Sequence, residues 1–260
     1  MGLLLAPIAL AACAEPADTF IEPSYVACDA SADTPAELKV VTYNIKAGLE
    51  SSLDEIGDVL FELDPDVVLL QEVDNNVDRT GNVDQAGALA ERLGMDYAYG
   101  AAKVQRDGDF GLAVLSRLPF AGAERIELPS EGSFEPRIAL AGDVCVGGRS
   151  VRVFSTHSDL NPMAQEAQQR ALAEHAAPYV ETGVIVGGDM NATFEAPGLQ
   201  ALFNTPLVDT AASHTDKATC AGRTIDFVLA DGALGQGSVD ADVIETDASD
   251  HYPVVVEIAL

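Results

Sequence analysis

The most regular feature of the chain is a set of short apolar runs, rich in Val and Ile, that end in polar residues. Residues 184–193 are the clearest case, because an apolar run there ends in two glycines followed by Asp189 and Asn191. Alternate side chains of a strand point the same way, and glycine lets the backbone approach a ligand closely. The pattern predicts a buried strand whose end presents a carboxylate and an amide together. An ordinary strand-to-turn exit is the alternative, since Gly, Asp and Asn are common in turns.

Similar runs recur along the chain and alternate with segments whose apolar residues are spaced as on one face of a helix. Strands are predicted at 38–45, 66–73, 97–103, 110–116, 125–128, 137–146, 151–157, 224–230, 239–245 and 254–258. Helices are predicted at 53–63, 85–93, 162–180 and 197–203. Gly147 and Gly148 predict a two-residue hairpin turn. Hairpin-linked strands mixed with longer helical crossovers favour an α+β layered domain.

Polar residues with chemical capacity recur where the predicted strands end. They are Asn44, Glu72, His157, Asp189, Asn191, Asp226, Asp250 and His251. Strand ends that gather at one edge of a sheet bring such groups together. Several carboxylates in one place repel one another unless a cation binds them, and oxygen ligands suit Mg²⁺ or Mn²⁺. The set therefore predicts a metal site at a sheet edge.

Each of these residues also has a structural interpretation when it is taken alone. Asn44 could cap a turn, and Glu72 could pair with Arg79. His157 could be a hydrogen-bonded core histidine, and Asp250 could be a turn former. Only the whole set favours a catalytic or metal-binding role over these structural roles.

Composition describes a strongly acidic chain that is long enough for one large domain. The chain has 260 residues, of which 48% are hydrophobic, and carries 42 acidic against 14 basic residues for a formal net charge of -28. Such a chain is repelled by nucleic acid and by anionic membranes unless a metal or a basic patch intervenes. A solvated surface accounts for most of this charge.

The first residues are apolar and predict an export leader over residues 1–13. Residues 10–13 resemble the bacterial lipoprotein cleavage motif, in which Cys13 becomes a lipidated N-terminus, although a basic segment before the apolar run is missing. Residues 14–36 predict a spacer, with an ordered arm that docks through Tyr25 and Cys28 as the alternative. With Cys145 and Cys220, the remaining cysteines allow either one bridge or three buried thiols.

Seven short motifs occur in an order that resembles the endonuclease/exonuclease/phosphatase superfamily. They are Thr-Tyr-Asn-Ile, Gln-Glu-Val-Asp, Leu-Ser-Arg-Leu-Pro, Thr-His-Ser-Asp, Gly-Gly-Asp-Met-Asn, Ile-Asp-Phe-Val and Ser-Asp-His-Tyr-Pro. Any one of them is weak evidence, but all seven in order are highly specific. The resemblance implies a four-layer α/β/β/α sandwich over residues 37–260. Residues 77–80 and 83–85 further resemble a bacterial secreted branch of this family.

The resemblance also implies which residues bind a metal and the substrate. Glu72 would be the main Mg²⁺ ligand with help from Asn44, and Mn²⁺ is the alternative ion. Asp250 would complete a second metal or water region. Arg117 and Arg137 are candidate phosphate contacts, and surface pairing with acidic residues is their alternative.

The remaining roles concern the reaction itself. Asp189 would orient or deprotonate the attacking water, and Asn191 would hold that water or the phosphate. His157 would donate to a non-bridging phosphate oxygen. Asp226 would pair with His251 and fix its tautomer. Phosphoryl transfer needs this combination of an in-line water and positive charge around the equatorial oxygens.

The expected function is exported, metal-dependent hydrolysis of phosphoesters, most simply phosphodiesters, by a monomer. A nucleic acid substrate is disfavoured by the charge, whereas a lipid anchor at Cys13 would bring the enzyme to a membrane and so to a phospholipid or sphingomyelin substrate. A ligand-binding lipoprotein without catalysis is the alternative on the same fold.

Overall fold

Two β-sheets packed face to face organise the chain in a computed structural model, which describes residues 15–205, 207–209, 217–231, 234 and 239–260. The predicted leader and Cys13 lie outside the described residues. The strands are β1 (Phe20–Ile21), β2 (Glu37–Asn44), β3 (Val67–Asn75), β4 (Asp96–Gln105), β5 (Gly108–Ser116), β6 (Phe120–Glu127), β7 (Ile138–Val146), β8 (Arg149–His157), β9 (Val184–Asp189), β10 (Leu207–Asp209), β11 (Asp226–Asp231), β12 (Val239–Val243) and β13 (Val254–Ala259).

The order of the strands determines which strand ends lie next to one another. One sheet has the order β1-β4-β5-β3-β2-β13-β12, and the other has the order β10-β11-β9-β8-β7-β6. Within them β2 pairs with β3 and β8 pairs with β9 in parallel, and every other described pair is antiparallel. Asn44, Glu72, His157 and Asp189 lie at or near the carboxyl ends of these two parallel pairs. The hairpin turn predicted at Gly147 and Gly148 joins β7 to β8.

In the described part of the chain, four α-helices cover the outer faces of the two sheets. They are α1 (Leu53–Leu63), α2 (Gln85–Leu93), α3 (Pro162–Ala176) and α4 (Pro197–Phe203). The side chains of Leu69 and Ile185 lie fully buried in the core between the sheets. Leu60 packs on the first sheet from outside, and Leu172 packs on the second. The predicted four-layer α/β/β/α sandwich is confirmed.

Helix boundaries follow from local capping. Ser52 accepts a hydrogen bond from the Glu55 amide at 3.2 Å and begins α1, and Asp84 accepts one from the Gly87 amide at 3.0 Å and begins α2. The third helix was predicted to reach residue 180 but ends at Ala176, because proline at 178 cannot continue an α-helix. Among the described residues, no helix is both long and apolar enough to cross a membrane.

The segment from residue 15 to residue 36 lies along the domain, where a spacer was predicted. Strand β1 extends the first sheet by pairing with β4, and the Val26 amide donates to the Phe120 carbonyl at 2.8 Å. Cys28 then forms a disulfide with Cys145 on β7, and Cys220 is left as a free thiol. The alternative of an ordered arm with one bridge therefore describes these residues better, because the arm satisfies its backbone groups on the edge of the sheet.

Candidate active site

Seven polar residues meet where β2, β3, β8, β9 and β11 approach one another. We call Asn44, Glu72, His157, Asp189, Asn191, Asp226 and His251 the site cluster. Asn44, His157 and Asp189 are the last residues of their strands, and Asp226 is the first residue of β11. His157 and Asp226 flank Asp189 in register on neighbouring strands. The topology therefore converts distant sequence positions into one group.

Asn44 joins the two sheets across the site. Its amide nitrogen donates to Glu72 Oε1 at 3.0 Å and to Asp189 Oδ2 at 3.1 Å. Glu72 reaches this position because β3 has a bulge between Leu70 and Val73, and Glu72 itself has a φ of 57°. A side chain in this left-handed region is uncommon and often marks a functional position.

His251 and Asp226 form a buried dyad. The His251 Nδ1 lies 2.9 Å from one Asp226 carboxylate oxygen and 3.1 Å from the other. Burial by itself lowers the pKa of His251, but the hydrogen bond and the negative charge of Asp226 outweigh it and raise the pKa to about 9. The ring is therefore an imidazolium at neutral pH and directs its Nε2 toward the site.

Thr219 supports this dyad and was not predicted. Its hydroxyl donates to Asp226 Oδ2 at 2.5 Å, and it accepts from the Asp226 amide at 3.1 Å. Its carbonyl accepts from the amide of Tyr252, which follows His251. A lone Thr before a predicted strand carries no sequence signal for such a role.

Asp189 occupies the centre of the site cluster. Its Oδ2 lies 3.4 Å from His157 Nε2 and 3.7 Å from His251 Nε2, and only 1% of the residue is exposed. Burial raises the pKa of Asp189 to about 7, and the nearby charge of Asp226 adds to this effect. A carboxylate with such a pKa exchanges a proton readily at neutral pH.

His157 differs from His251 in its protonation. Burial lowers the pKa of His157 well below its usual value, and the positive charges of Arg137 and His251 lower it further. His157 is therefore neutral at pH 7 and able to donate one N–H. Among the described residues, its Nδ1 has no hydrogen-bond partner.

Asn191 is fixed by its own backbone turn. Its amide N–H donates to Asp189 Oδ1 at 2.8 Å, and its side-chain nitrogen donates to the Ser158 carbonyl at 3.0 Å. Gln165 on α3 donates to the Asn191 carbonyl at 2.8 Å. Gln165 thus holds the turn against the helix, a role that its sequence position did not indicate.

The structure separates the two arginines that were candidate phosphate contacts. Arg137 lies in the pocket and is 8% exposed, and within the described part of the chain its Nε has no hydrogen-bond partner. Arg117 instead pairs with Asp64 at 2.5 Å and follows Ser116, which lies opposite the first residue of β3. Arg117 is thus at the end of the sheet remote from Glu72, which favours surface pairing for it.

Asp250 lies outside the pocket lining. It pairs with the Nζ of Lys46 at 2.8 Å, and its side chain is 42% exposed. The predicted metal role of Asp250 stays a prediction, because nothing in its surroundings tests it.

The donor groups of the site suit a hard divalent cation. Asp189, Asp226 and His251 each offer a ligand atom within 4.8 Å of the others. The Asp226 carboxylate already pairs with His251, so an ion fits better beside Asn44. There the carboxylates of Glu72 and Asp189 both lie within hydrogen-bond distance of the Asn44 side chain. Burial and the charge of Asp226 both raise the pKa of Asp189, and a bound cation would favour its ionised form.

A pocket of about 370 Å³ opens over these groups. It is lined by Glu72, Arg79, Lys103, Gln105, Phe110, Phe134, Glu135, Arg137, His157, Asp159, Leu160, Asp189, Asn191 and His251. The site is therefore a cleft with a polar floor and several apolar side chains on its wall.

Comparison with known proteins agrees with this geometry. The uncharacterized protein YbhP of Escherichia coli (strain K12) is 30% identical over 168 residues, which cover 59% of this chain and 66% of YbhP, just under two thirds of its length. An endonuclease/exonuclease/phosphatase from Beutenbergia cavernae DSM 12333 superposes with a TM-score of 0.71 at 25% identity, covering 87% of this chain and 72% of that one. D. rerio TDP2 complexed with single strand DNA product superposes with a TM-score of 0.67 at 18% identity, covering 87% of this chain and 100% of that one.

The sequence model of the Endonuclease/Exonuclease/phosphatase family matches residues 41–251. Members of this family are phosphoesterases, among them nucleases and phosphatases, and they generally depend on a divalent metal. Because the match spans most of the chain and includes the whole site cluster, the chain belongs to the endonuclease/exonuclease/phosphatase family.

Proposed function

We propose that this protein is an exported, Mg²⁺-dependent hydrolase that cleaves phosphodiesters by attack of water on phosphorus. The observation that carries the proposal is the position of Asp189 between two imidazoles of opposite protonation. His157 is neutral and His251 is charged at neutral pH, because only His251 has a carboxylate partner on its far nitrogen. Such divergent pKa values in one site are the usual arrangement for acid and base roles.

The roles of the residues follow from these protonation states. Asp189 orients the attacking water and accepts its proton, and Asn191 keeps that carboxylate in place. His157 donates a hydrogen bond to a non-bridging oxygen. The His251 imidazolium stabilises negative charge on the phosphate and supplies a proton to the departing oxygen, while Asp226 holds it in the required tautomer.

Glu72 and Asn44 would hold a divalent cation, which would supply positive charge for the phosphate oxygens. Mg²⁺ suits these oxygen donors best, and Mn²⁺ is the alternative ion. Arg137 adds a fixed positive charge from the pocket wall, because its guanidinium lies 3.7 Å from Glu135 and 3.9 Å from Asp159 and so remains loosely paired. Together with the His251 imidazolium, the cation and Arg137 would balance the negative charge of the phosphate oxygens.

The export leader, the disulfide and the net charge indicate where the protein acts and what it binds. Residues 1–13 support export, and a disulfide such as Cys28–Cys145 persists in oxidising compartments. Lipidation at Cys13 would place a monomer at a membrane surface. The net charge of -28 disfavours tight binding of nucleic acid, so a nuclease activity ranks below cleavage of a lipid or another small diester.

The test is hydrolysis of bis-p-nitrophenyl phosphate with Mg²⁺ or Mn²⁺ and after EDTA. Asp189→Asn should lower kcat by about 10²- to 10⁴-fold, the usual contribution of a general base, and His251→Gln should also lower kcat, because the imidazolium no longer stabilises negative charge on the phosphate. The matched control is Asp231→Asn, a buried carboxylate at the other end of β11. Full activity in EDTA would overturn the metal assignment. An inactive wild-type protein on diesters, lipids and nucleic acid would favour the ligand-binding alternative.

A further inference from the structure

We propose that Phe134 and Leu160 form an apolar subsite that binds an alkyl or acyl ester group of the substrate. The inference rests on the proposed function and narrows its substrate class to phosphoesters of apolar alcohols. Both side chains line the pocket that contains His157 and Asp189. Both are 64% exposed, so they are available to a ligand.

The position of these side chains distinguishes them from ordinary surface residues. Isolated apolar residues are common on protein surfaces and need no explanation. Phe61 on α1 is such a residue, because it is also 64% exposed but lies outside the pocket lining. Phe134 and Leu160 instead share the pocket with a third apolar side chain, Phe110, which is 7% exposed. The described pocket lining therefore offers three apolar side chains beside the catalytic groups.

Phe134 is held in place by a buried carboxylate. Asp159 Oδ2 accepts hydrogen bonds from the Ser133 hydroxyl at 2.8 Å, the Phe134 amide at 3.0 Å and the Glu135 amide at 3.3 Å. Asp159 is fully buried and lies two residues after His157. Asp159 Oδ1 also accepts from the Asn161 amide at 2.8 Å, so the same carboxylate fixes the backbone that carries Phe134 and the backbone that carries Leu160.

A second buried side chain strengthens the attachment of this loop. Gln168 on α3 accepts from the Asp159 amide at 2.8 Å and donates to the Pro129 carbonyl at 3.1 Å. It also donates to the Ser133 hydroxyl at 3.2 Å. A loop bound in this way presents its phenylalanine without the ordering cost that a mobile loop would bear on binding.

The charges of the same wall favour an apolar group over a second phosphate. Lys103 pairs with Glu135 at 2.5 Å, and Arg79 makes two hydrogen bonds to the buried Asp74 at 2.7 and 2.8 Å. Of the three Arg and Lys side chains in the described pocket lining, only Arg137 is loosely paired, and it is assigned to the scissile phosphate. A further anionic group would therefore meet cations that are already neutralised.

The experiment measures binding of methyl-, butyl- and hexylphosphonate by calorimetry to the full chain in Mg²⁺. These probes carry one apolar group on a carbon–phosphorus bond that the enzyme does not hydrolyse. The Kd should fall by at least about tenfold from methyl to hexyl. Complete burial of one methylene contributes ~0.8 kcal/mol, which lowers the Kd by ~4-fold, so the expected change is well below the maximum for five methylenes. Phe134→Ser and Leu160→Ser should each flatten this dependence and leave the Kd of methylphosphonate within about twofold.

Phe61→Ser is the matched control, because it removes an equally exposed aromatic ring away from the pocket. It should keep the full dependence on chain length. A wild-type Kd that is independent of chain length overturns the subsite, and so does a dependence that survives both pocket substitutions. Hydrolysis of bis-p-nitrophenyl phosphate, measured in parallel, reports separately on the proposed function.

Discussion

The charge state of His251 gives the sharpest test of the site, and Asp226→Asn is the perturbation. Asparagine keeps the shape of the aspartate and can still accept from His251 Nδ1, which lies 2.9 Å away, but it lacks the charge. The pKa of His251 is about 9, against an ordinary value of 6.5. This difference corresponds to ~3 kcal/mol of preference for the imidazolium, at about 1.4 kcal/mol per pKa unit. We expect the substitution to lower the pKa of His251 by at least about one unit, because burial then acts against a weaker opposing charge.

The same shift predicts how stability depends on pH in the metal-free protein. A folded-state pKa above the unfolded value stabilises the protein fully below pH 6.5, and this stabilisation is lost as pH rises through about 9. Asp189 also makes the folded protein less stable as pH rises, but over a lower pH range, because its pKa is about 7 in the folded state against an ordinary value of 3.8. Between pH 7 and pH 9, His251 therefore dominates. The wild-type free energy of unfolding should fall across this window, and that of Asp226→Asn should be flatter.

The assay is an NMR titration of the imidazole Cε1–H signals in EDTA from pH 5 to pH 10. The chain has four histidines, so loss of one signal in His251→Gln assigns the resonance. Asp231→Asn is the control, because it removes a carboxylate of the same strand at the end remote from the site and should leave the His251 midpoint unchanged. A wild-type midpoint near 6.5, or the same midpoint in Asp226→Asn, would refute the assignment of a charged dyad.

Three further outcomes are expected. Arg137→Gln should lower kcat/KM by about 10- to 100-fold, because a hydrogen bond to a charged group contributes ~1.5–3 kcal/mol, whereas Arg117→Gln should leave steady-state kinetics unchanged. Cys28→Ser should lower the free energy of unfolding by as much as ~5 kcal/mol in urea, because the disulfide joins residues 117 positions apart, and an equal loss in Cys220→Ser would contradict this. Asp159→Asn should cost ~1–3 kcal/mol in the same urea assay, because it weakens a buried acceptor that fixes the pocket loop; unchanged stability would show that the loop is held otherwise.

The sequence predicted most of the local structure, because local signals determine it. Residues 53–63 and 85–93 are helical with the predicted boundaries, since their caps lie next to them in the chain. The strand at 120–127 was predicted only from residue 125, because its first half alternates small residues with little apolar contrast. The short strand Leu207–Asp209 was not predicted at all, since three residues carry too weak a pattern.

The site was predictable as a set of residue types but not as a set of contacts. The seven motifs identified the family, and the polar ends of the strands identified the members of the site cluster. Asn44 and Asp189, however, are 145 positions apart and meet only because two sheets pack together. The same packing brought Arg137 into the pocket and left Arg117 and Asp250 outside its lining. No local pattern distinguishes these outcomes.

By itself the sequence determined the order of the elements, the acidic surface and the chemical types gathered at the strand ends. These properties depend on residue identity and on near neighbours. Only the tertiary structure decided that Thr219 and Asp226 support His251, that Asp159 fixes the backbone at Phe134, and that the two histidines of the site cluster differ in charge. Burial and pairing between remote segments set those properties, because the pKa of a side chain depends on its surroundings in space.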